Sequence, residues 1–293
     1  MTPRKLKRVR AGLETLYAET DFEQRRGQDP VGAVHRYSDP KDQELAGFIA
    51  ASFAYGRVGS FQPIIDRVLG FLDEGGGPRA GIEGLDLGAA QDSLGDLVYR
   101  FNRGQDVLLL LLALKGVLRE HGSLEAAAAG ESAHEVMGSL VDALLAQAMA
   151  QGGQVGVHVS TPKELPRGYR YWMTHPGSGS ACKRLTMYLR WMIRPATEGL
   201  DLGIWKQLEP AQLLIPVDTH VLRTANFLGL SKAKTGSWRV AEEITGWLRK
   251  MDPVDPVRYD FAMAHLGISG ACKGKRDPVA CPVCPLDKVC GAR

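Results

Sequence analysis

The chain has 293 residues, 44% of them hydrophobic and 24% charged, with seven histidines and five cysteines. This composition excludes collagen-like, disordered and coiled-coil chains, and the length supports a core that needs no disulfide framework. The formal charge is only +3, but it is unevenly spread. Residues 1–10 and 161–194 together carry eleven net positive charges, and the rest of the chain carries eight net negative ones. Such polarisation is expected of a surface that attracts a polyanion.

In chain order, the pattern reads as helix almost throughout. Asp39-Pro40 marks a helix start after an N-terminal arm, with Asp39 as cap and Pro40 in the first turn. Leu45, Ile49 and Phe53, then Phe61, Ile64, Ile65, Val68, Leu69 and Leu72, recur at helical spacing. Val107 to Leu118 continues the pattern, and an Ala-rich helical stretch with a glycine interruption runs from Ser123 to about Met149. Gln154 to Ser160 is the one strand candidate. Glycine and proline punctuate 75–81, 152–166, 195–203 and 251–256. The expectation is an all-α protein of about ten helices. No apolar run has the length of a membrane span, and the basic N-terminus is not followed by the apolar segment of a secretory signal, so a reducing cytoplasm is expected.

Three groups of residues carry chemistry. The first is Cys272, Cys281, Cys284 and Cys290, spaced C-x8-C-x2-C-x5-C in a segment too rich in Gly, Pro and Lys to bury them as core. Four thiolates there can surround one zinc ion or each ligate one iron of a cubane cluster, and spacing leaves both open. The second is His175-Pro176-Gly177-Ser178-Gly179-Ser180-Ala181-Cys182-Lys183-Arg184, a turn that feeds a helix. Successive backbone N–H groups in such a turn suit a phosphate, although a lone Gly-x-Gly is as readily an ordinary turn with a solvated basic face. On the helix, Leu185, Tyr188, Leu189 and Met192 form an apolar stripe, with Lys183, Arg184, Arg190 and Arg194 off it. The third is Ile215-Pro216-Val217-Asp218-Thr219-His220-Val221-Leu222-Arg223, where Asp218 is placed as an N-cap, a position that also suits a fixed catalytic carboxylate.

The order of these three groups resembles the helix-hairpin-helix DNA glycosylase superfamily, in the branch of endonuclease III and the adenine DNA glycosylase. Ala264-His265-Leu266-Gly267 before the first cysteine, and Cys284-Pro285-Leu286-Asp287-Lys288-Val289-Cys290, look like that branch too. The match is dense over 175–293 and weaker over 39–72, where Ala50-Ala51-Ser52-Phe53-Ala54 looks like an opening barrel helix.

The resemblance implies an all-α, two-lobed glycosylase-like fold. Residues 1–42 would pack with a C-terminal lobe over 212–293, which ends in a cluster loop at 272–290. A helical barrel would span 43–211, with the helix-hairpin-helix near 172–194. It implies a [4Fe–4S] cluster on Cys272, Cys281, Cys284 and Cys290, with zinc as the alternative, although the first spacing is longer than that branch's. It implies a nucleoid-associated monomer that flips a damaged base out of double-stranded DNA and cleaves its N-glycosidic bond with Asp218. DNA contacts fall to Gly177, Gly179, Ser180, Lys183 and Arg184, and to Tyr55 and Arg57, which follow the barrel helix where relatives fill the gap left by the flipped base. The position of the strand-cleaving lysine of bifunctional relatives is taken by Ala181. Lys183, two residues on, would lie about 200° round a helix, so a monofunctional enzyme with at most weak lyase activity is expected. The alternative is a lesion-sensing, DNA-binding iron–sulfur protein without catalysis. Tyr169, Tyr171, Trp172 and Cys182 read as packing residues.

Overall fold

The computed structural model describes residues 1–292. Among them are fourteen α-helices and one two-stranded hairpin, so the all-α expectation holds, with more and shorter helices than the periodicity suggested. The N-terminal arm contains α1 (Pro3–Ala18) and α2 (Phe22–Arg26). Then follow α3 (Pro40–Phe53), α4 (Val58–Glu74), α5 (Pro78–Glu83) and α6 (Leu87–Leu94). As expected, Asp39 caps α3, its carboxylate accepting from the Lys41 amide at 2.8 Å, with Pro40 in the first turn.

Strands β1 (Val98–Tyr99) and β2 (Asn102–Arg103) pair antiparallel across a turn in which Arg100 has φ +50°. Two-residue strands are too short for an alternating pattern, so this hairpin left no periodic signal. The expected strand at 154–160 does not form; a 3₁₀ turn at Gly152–Val155 leads into irregular chain. Next are α7 (Gly104–His121), α8 (Leu124–Ala127) and α9 (Ala133–Gln151). The Ala-rich stretch is thus two helices, separated around Gly130. Helix α7 is buried on nearly every side because its Val107–Leu114 run packs against α5, α6, α8, α9 and α10 (Arg167–Trp172).

Helix α11 (Lys183–Ile193) follows, then a mostly irregular segment that folds back on it through Leu202 N–H to Trp191 O (2.8 Å) and Trp205 N–H to Met192 O (2.8 Å). Trp205 also donates to buried Glu44 of α3, whose carboxylate accepts the Leu124 and Glu125 amides at the start of α8. Helices α12 (Thr219–Leu228), α13 (Trp238–Arg249) and α14 (Asp260–Ile268) complete the regular structure. Helix α1 packs on α14 and on the terminal loop, where Arg8 donates to Lys288 O and Tyr259 donates to Glu14 at 2.5 Å. Among the described residues no helix is long and apolar enough to cross a membrane.

Arg190 and Arg194 do not join a solvated basic face. Both are 2% exposed and pair inside the protein. Arg190 reaches Asp201 at 2.9 Å and Asp260 at 3.1 Å. Arg194 reaches Asp201 at 2.5 Å and Asp255 at 2.8 Å. These carboxyl groups lie seven to seventy residues away in sequence, which helical spacing does not reveal.

Candidate active site and cysteine loop

Asp218 ends an extended segment and caps α12. One carboxylate oxygen, Oδ1, accepts the amides of His220 (2.8 Å) and Val221 (2.7 Å). The other, Oδ2, has no hydrogen-bond partner among the described residues. Close packing of α14 on α12 backs this corner: a Cβ on Gly267 would lie 2.4 Å from His220 Nδ1, so a larger residue there has to push the His220 ring aside. His220 in turn sits 3.3 Å from the Arg223 guanidinium.

Two cavities meet at Asp218. One, of about 590 Å³, opens toward the N-terminal arm and α3–α4, past Asp29, Tyr55, Arg57 and Phe61. The other, of about 440 Å³, opens toward the exit of the 175–182 turn and residues 234–236. Tyr171, Lys183, Arg184 and Asp218 line both.

The placement of Lys183 corrects the expectation that it points away. Cys182 takes the left-handed conformation (φ +45°), so α11 starts at Lys183 and helical rotation does not relate it to residue 181. Its ammonium donates to Ala54 O at 3.4 Å across the site from Asp218. Behind both stands Asp260, the buried first residue of α14. Burial pushes its carboxyl up to about 7, against the opposing charge of Arg190; Asp218 adds to the rise and Lys183 reduces it.

Internal hydrogen bonds brace the turn. His175 Nδ1 accepts the Gly177 amide at 2.9 Å, and Pro176 O accepts the Gly179 amide at 3.0 Å, with Gly179 at φ +78°. Both glycines are exposed, but the two amides expected to hold a phosphate are satisfied internally. A phosphate seated on Gly177 has to displace the His175 ring. Ser180 lies half-buried at the rim of the smaller cavity. Cys182 is buried and donates to Thr174 O at 3.3 Å, as a packing residue should; burial pushes its thiol up to about 11.

Tyr55 is not a free wedge. Its ring sits 4.9 Å from those of Tyr99 and Tyr171, and its hydroxyl donates to Asn102. The Arg184 guanidinium stacks 4.2 Å above Tyr171 and 5.6 Å above Tyr55. The Arg57 side chain is exposed and has no hydrogen bond or salt bridge among the described residues. Tyr169 and Trp172 are buried, as expected of packing residues.

The structure adds a group that the sequence reading missed. The β1–β2 hairpin exposes Phe101 (42%) beside Arg100 and Arg103, with the Arg167 guanidinium 5.2 Å from the Phe101 ring. None of Arg57, Arg100, Arg103, Arg167, Arg170 and Arg184 forms a salt bridge among the described residues. The alternation of aromatic and basic residues in Tyr99-Arg100-Phe101-Asn102-Arg103 was the available signal.

The terminal loop brings Cys272, Cys281, Cys284 and Cys290 around one cavity floored by Leu228, Leu266 and Leu286. All four are half-buried and none forms a disulfide. The Asp277 amide donates to the Cys281 sulfur (3.3 Å) and the Ala292 amide to the Cys290 sulfur (3.5 Å). An Arg276–Asp287 pair at 2.6 Å and the Cys272 amide on Leu266 O at 2.8 Å brace the loop. Burial, reinforced by the neighbouring cysteines, pushes the Cys284 and Cys290 thiols up. Among the described residues no three Cys, His, Asp or Glu side chains are grouped closely enough to hold a metal ion. Four thiols round a shared cavity of about 30 Å³ are the donor chemistry of a thiophilic metal group.

No curated protein and no solved structure matches the chain. A family model described as a protein of unknown function, DUF2400, matches residues 29–269, which include Asp218, Lys183 and the 175–182 turn but not the four cysteines. The chain belongs to the DUF2400 family.

Proposed function

We propose that the protein is a DNA N-glycosylase that binds a flipped, damaged base between the Asp218 corner and the N-terminal arm. The observation that carries this reading is Asp218 itself: a carboxylate fixed by two backbone amides, with its second oxygen free, at the meeting point of two open cavities lined by cations and aromatic rings. A base inside a duplex is inaccessible and must be extruded. The larger cavity offers Tyr55, Phe61 and Tyr171 to its faces. Cleavage of the glycosidic bond develops positive charge on the sugar, and the free oxygen of Asp218 stabilises that charge and orients the attacking water.

By the resemblance, Ala181 takes the position of the lysine of bifunctional glycosylases, so hydrolysis is the proposed main reaction. The protein acts as a monomer on double-stranded DNA, associated with the nucleoid. Cys272, Cys281, Cys284 and Cys290 would hold a [4Fe–4S] cluster, which when bound supplies a rigid cross-link of the loop beside α1 and α12.

The test is release of bases from duplexes carrying a panel of lesions, with Asp218→Asn as control. Release by the native protein, reduced by about 100-fold or more in the variant, supports the reading. Binding without release on every lesion overturns catalysis and favours a lesion-sensing protein of the same architecture. Borohydride on an abasic-site duplex checks Lys183: covalent trapping refutes hydrolysis as the main reaction.

A further inference from the structure

The smaller cavity has a wall that no sequence motif accounts for, the segment from Ser231 to Ser237. This segment is latched at several points. Trp238 N–H donates to Gly179 O at 2.9 Å, Asn226 donates to Ala233 O at 2.8 Å, and Ser231 donates to Glu243 at 2.8 Å. Gly236 lies close against Val217 and Ala181, so the segment spans the gap between the turn and the Asp218 strand. Lys234 is exposed, lines the cavity, and has no salt bridge or hydrogen bond among the described residues. Lys183 and Arg184 face it from the start of α11. Thr174, Ser180 and Thr235 contribute hydroxyls to the same walls.

Three cations and the hydroxyls of Ser180 and Thr235 line a space with one carboxylate, Asp218. Such a donor set recognises an oxyanion, and a strand phosphate offers one at fixed distance from a base held in the neighbouring cavity. The amides of the turn glycines already have internal acceptors, whereas Lys234 has no partner among the described residues. We propose that the cavity between the 175–182 turn and the 231–237 segment is a phosphodiester subsite for the strand carrying the flipped base, with Lys234 as its dedicated cation. The inference rests on the DNA-binding reading above.

The experiment measures affinity for a duplex with a tetrahydrofuran abasic analogue, across a salt series, for the native protein, Lys234→Gln and Lys234→Arg. Each phosphate contact contributes about 0.9 to the slope of log affinity against log salt. Lys234→Gln is expected to bind roughly five- to tenfold more weakly at about 0.1 M salt, with the slope reduced by about 0.9, and Lys234→Arg to keep both. If the native protein binds and Lys234→Gln matches it in affinity and slope, the subsite is refuted while the DNA reading stands. If the native protein binds no DNA, both fall.

Discussion

Replacing Arg194 with Met separates internal from DNA-facing charge. Arg194 is 2% exposed and contacts Asp201, Asp255 and Glu198. Methionine matches its length and apolar stem but removes the charge. Breaking one side of a buried ion pair costs about 3–5 kcal/mol when the remaining charge is stranded. Here Asp201 keeps Arg190 at 2.9 Å, and Asp255, the more exposed partner, can be hydrated, so the loss belongs near the lower end, about 3 kcal/mol. At about 2 cal/mol/K per residue for the unfolding entropy, that is a fall in Tm of roughly 5 °C. Urea denaturation with an unchanged m-value, together with calorimetry, reads the loss. DNA affinity at a temperature where both proteins are folded should keep its salt slope. A destabilisation under about 1 kcal/mol, or a slope reduced by about 0.9, would refute the internal assignment.

Two further outcomes are expected. Asp260 is raised to about 7 in the folded protein, so it holds a proton that the unfolded chain has released by that pH. Its contribution to stability is present below the ordinary carboxylate range and is lost as pH rises through about 7. Asp260→Asn should therefore flatten the decline in stability between about pH 4 and pH 7, and parallel curves for the two proteins would count against it. Separately, pure protein prepared without oxygen should be brown and contain iron and sulfide, and Cys284→Ala should lose the colour. A colourless native protein containing zinc would exclude the cluster.

Much of the local structure was readable from the chain. Asp39 and Asp218 were legible as caps because capping is a contact between a side chain and amides two or three residues away. The apolar faces of α3, α4, α7 and α11 were legible from helical spacing. The start of α11 was not, because Cys182 adopts a left-handed conformation unusual for a residue with a Cβ, and that shift puts Lys183 in the lining of the cavities that Asp218 also lines. The hairpin with Phe101 escaped because its strands are two residues long.

The charge pattern shows the division most clearly. Sequence alone determined that positive charge concentrates in 1–10 and 161–194, that four cysteines lie at ligand spacing, and that a capped aspartate precedes a helix. Only the tertiary structure decided which charges face outward. Arg190 and Arg194 turn inward to Asp201, Asp255 and Asp260, whereas Arg57 and Lys234 at the cavities, and Arg100, Arg103 and Arg167 at the hairpin, form no salt bridge among the described residues. Helical periodicity is a property of neighbours along the chain; the pairing of a charge depends on carboxylates that packing brings in from distant segments.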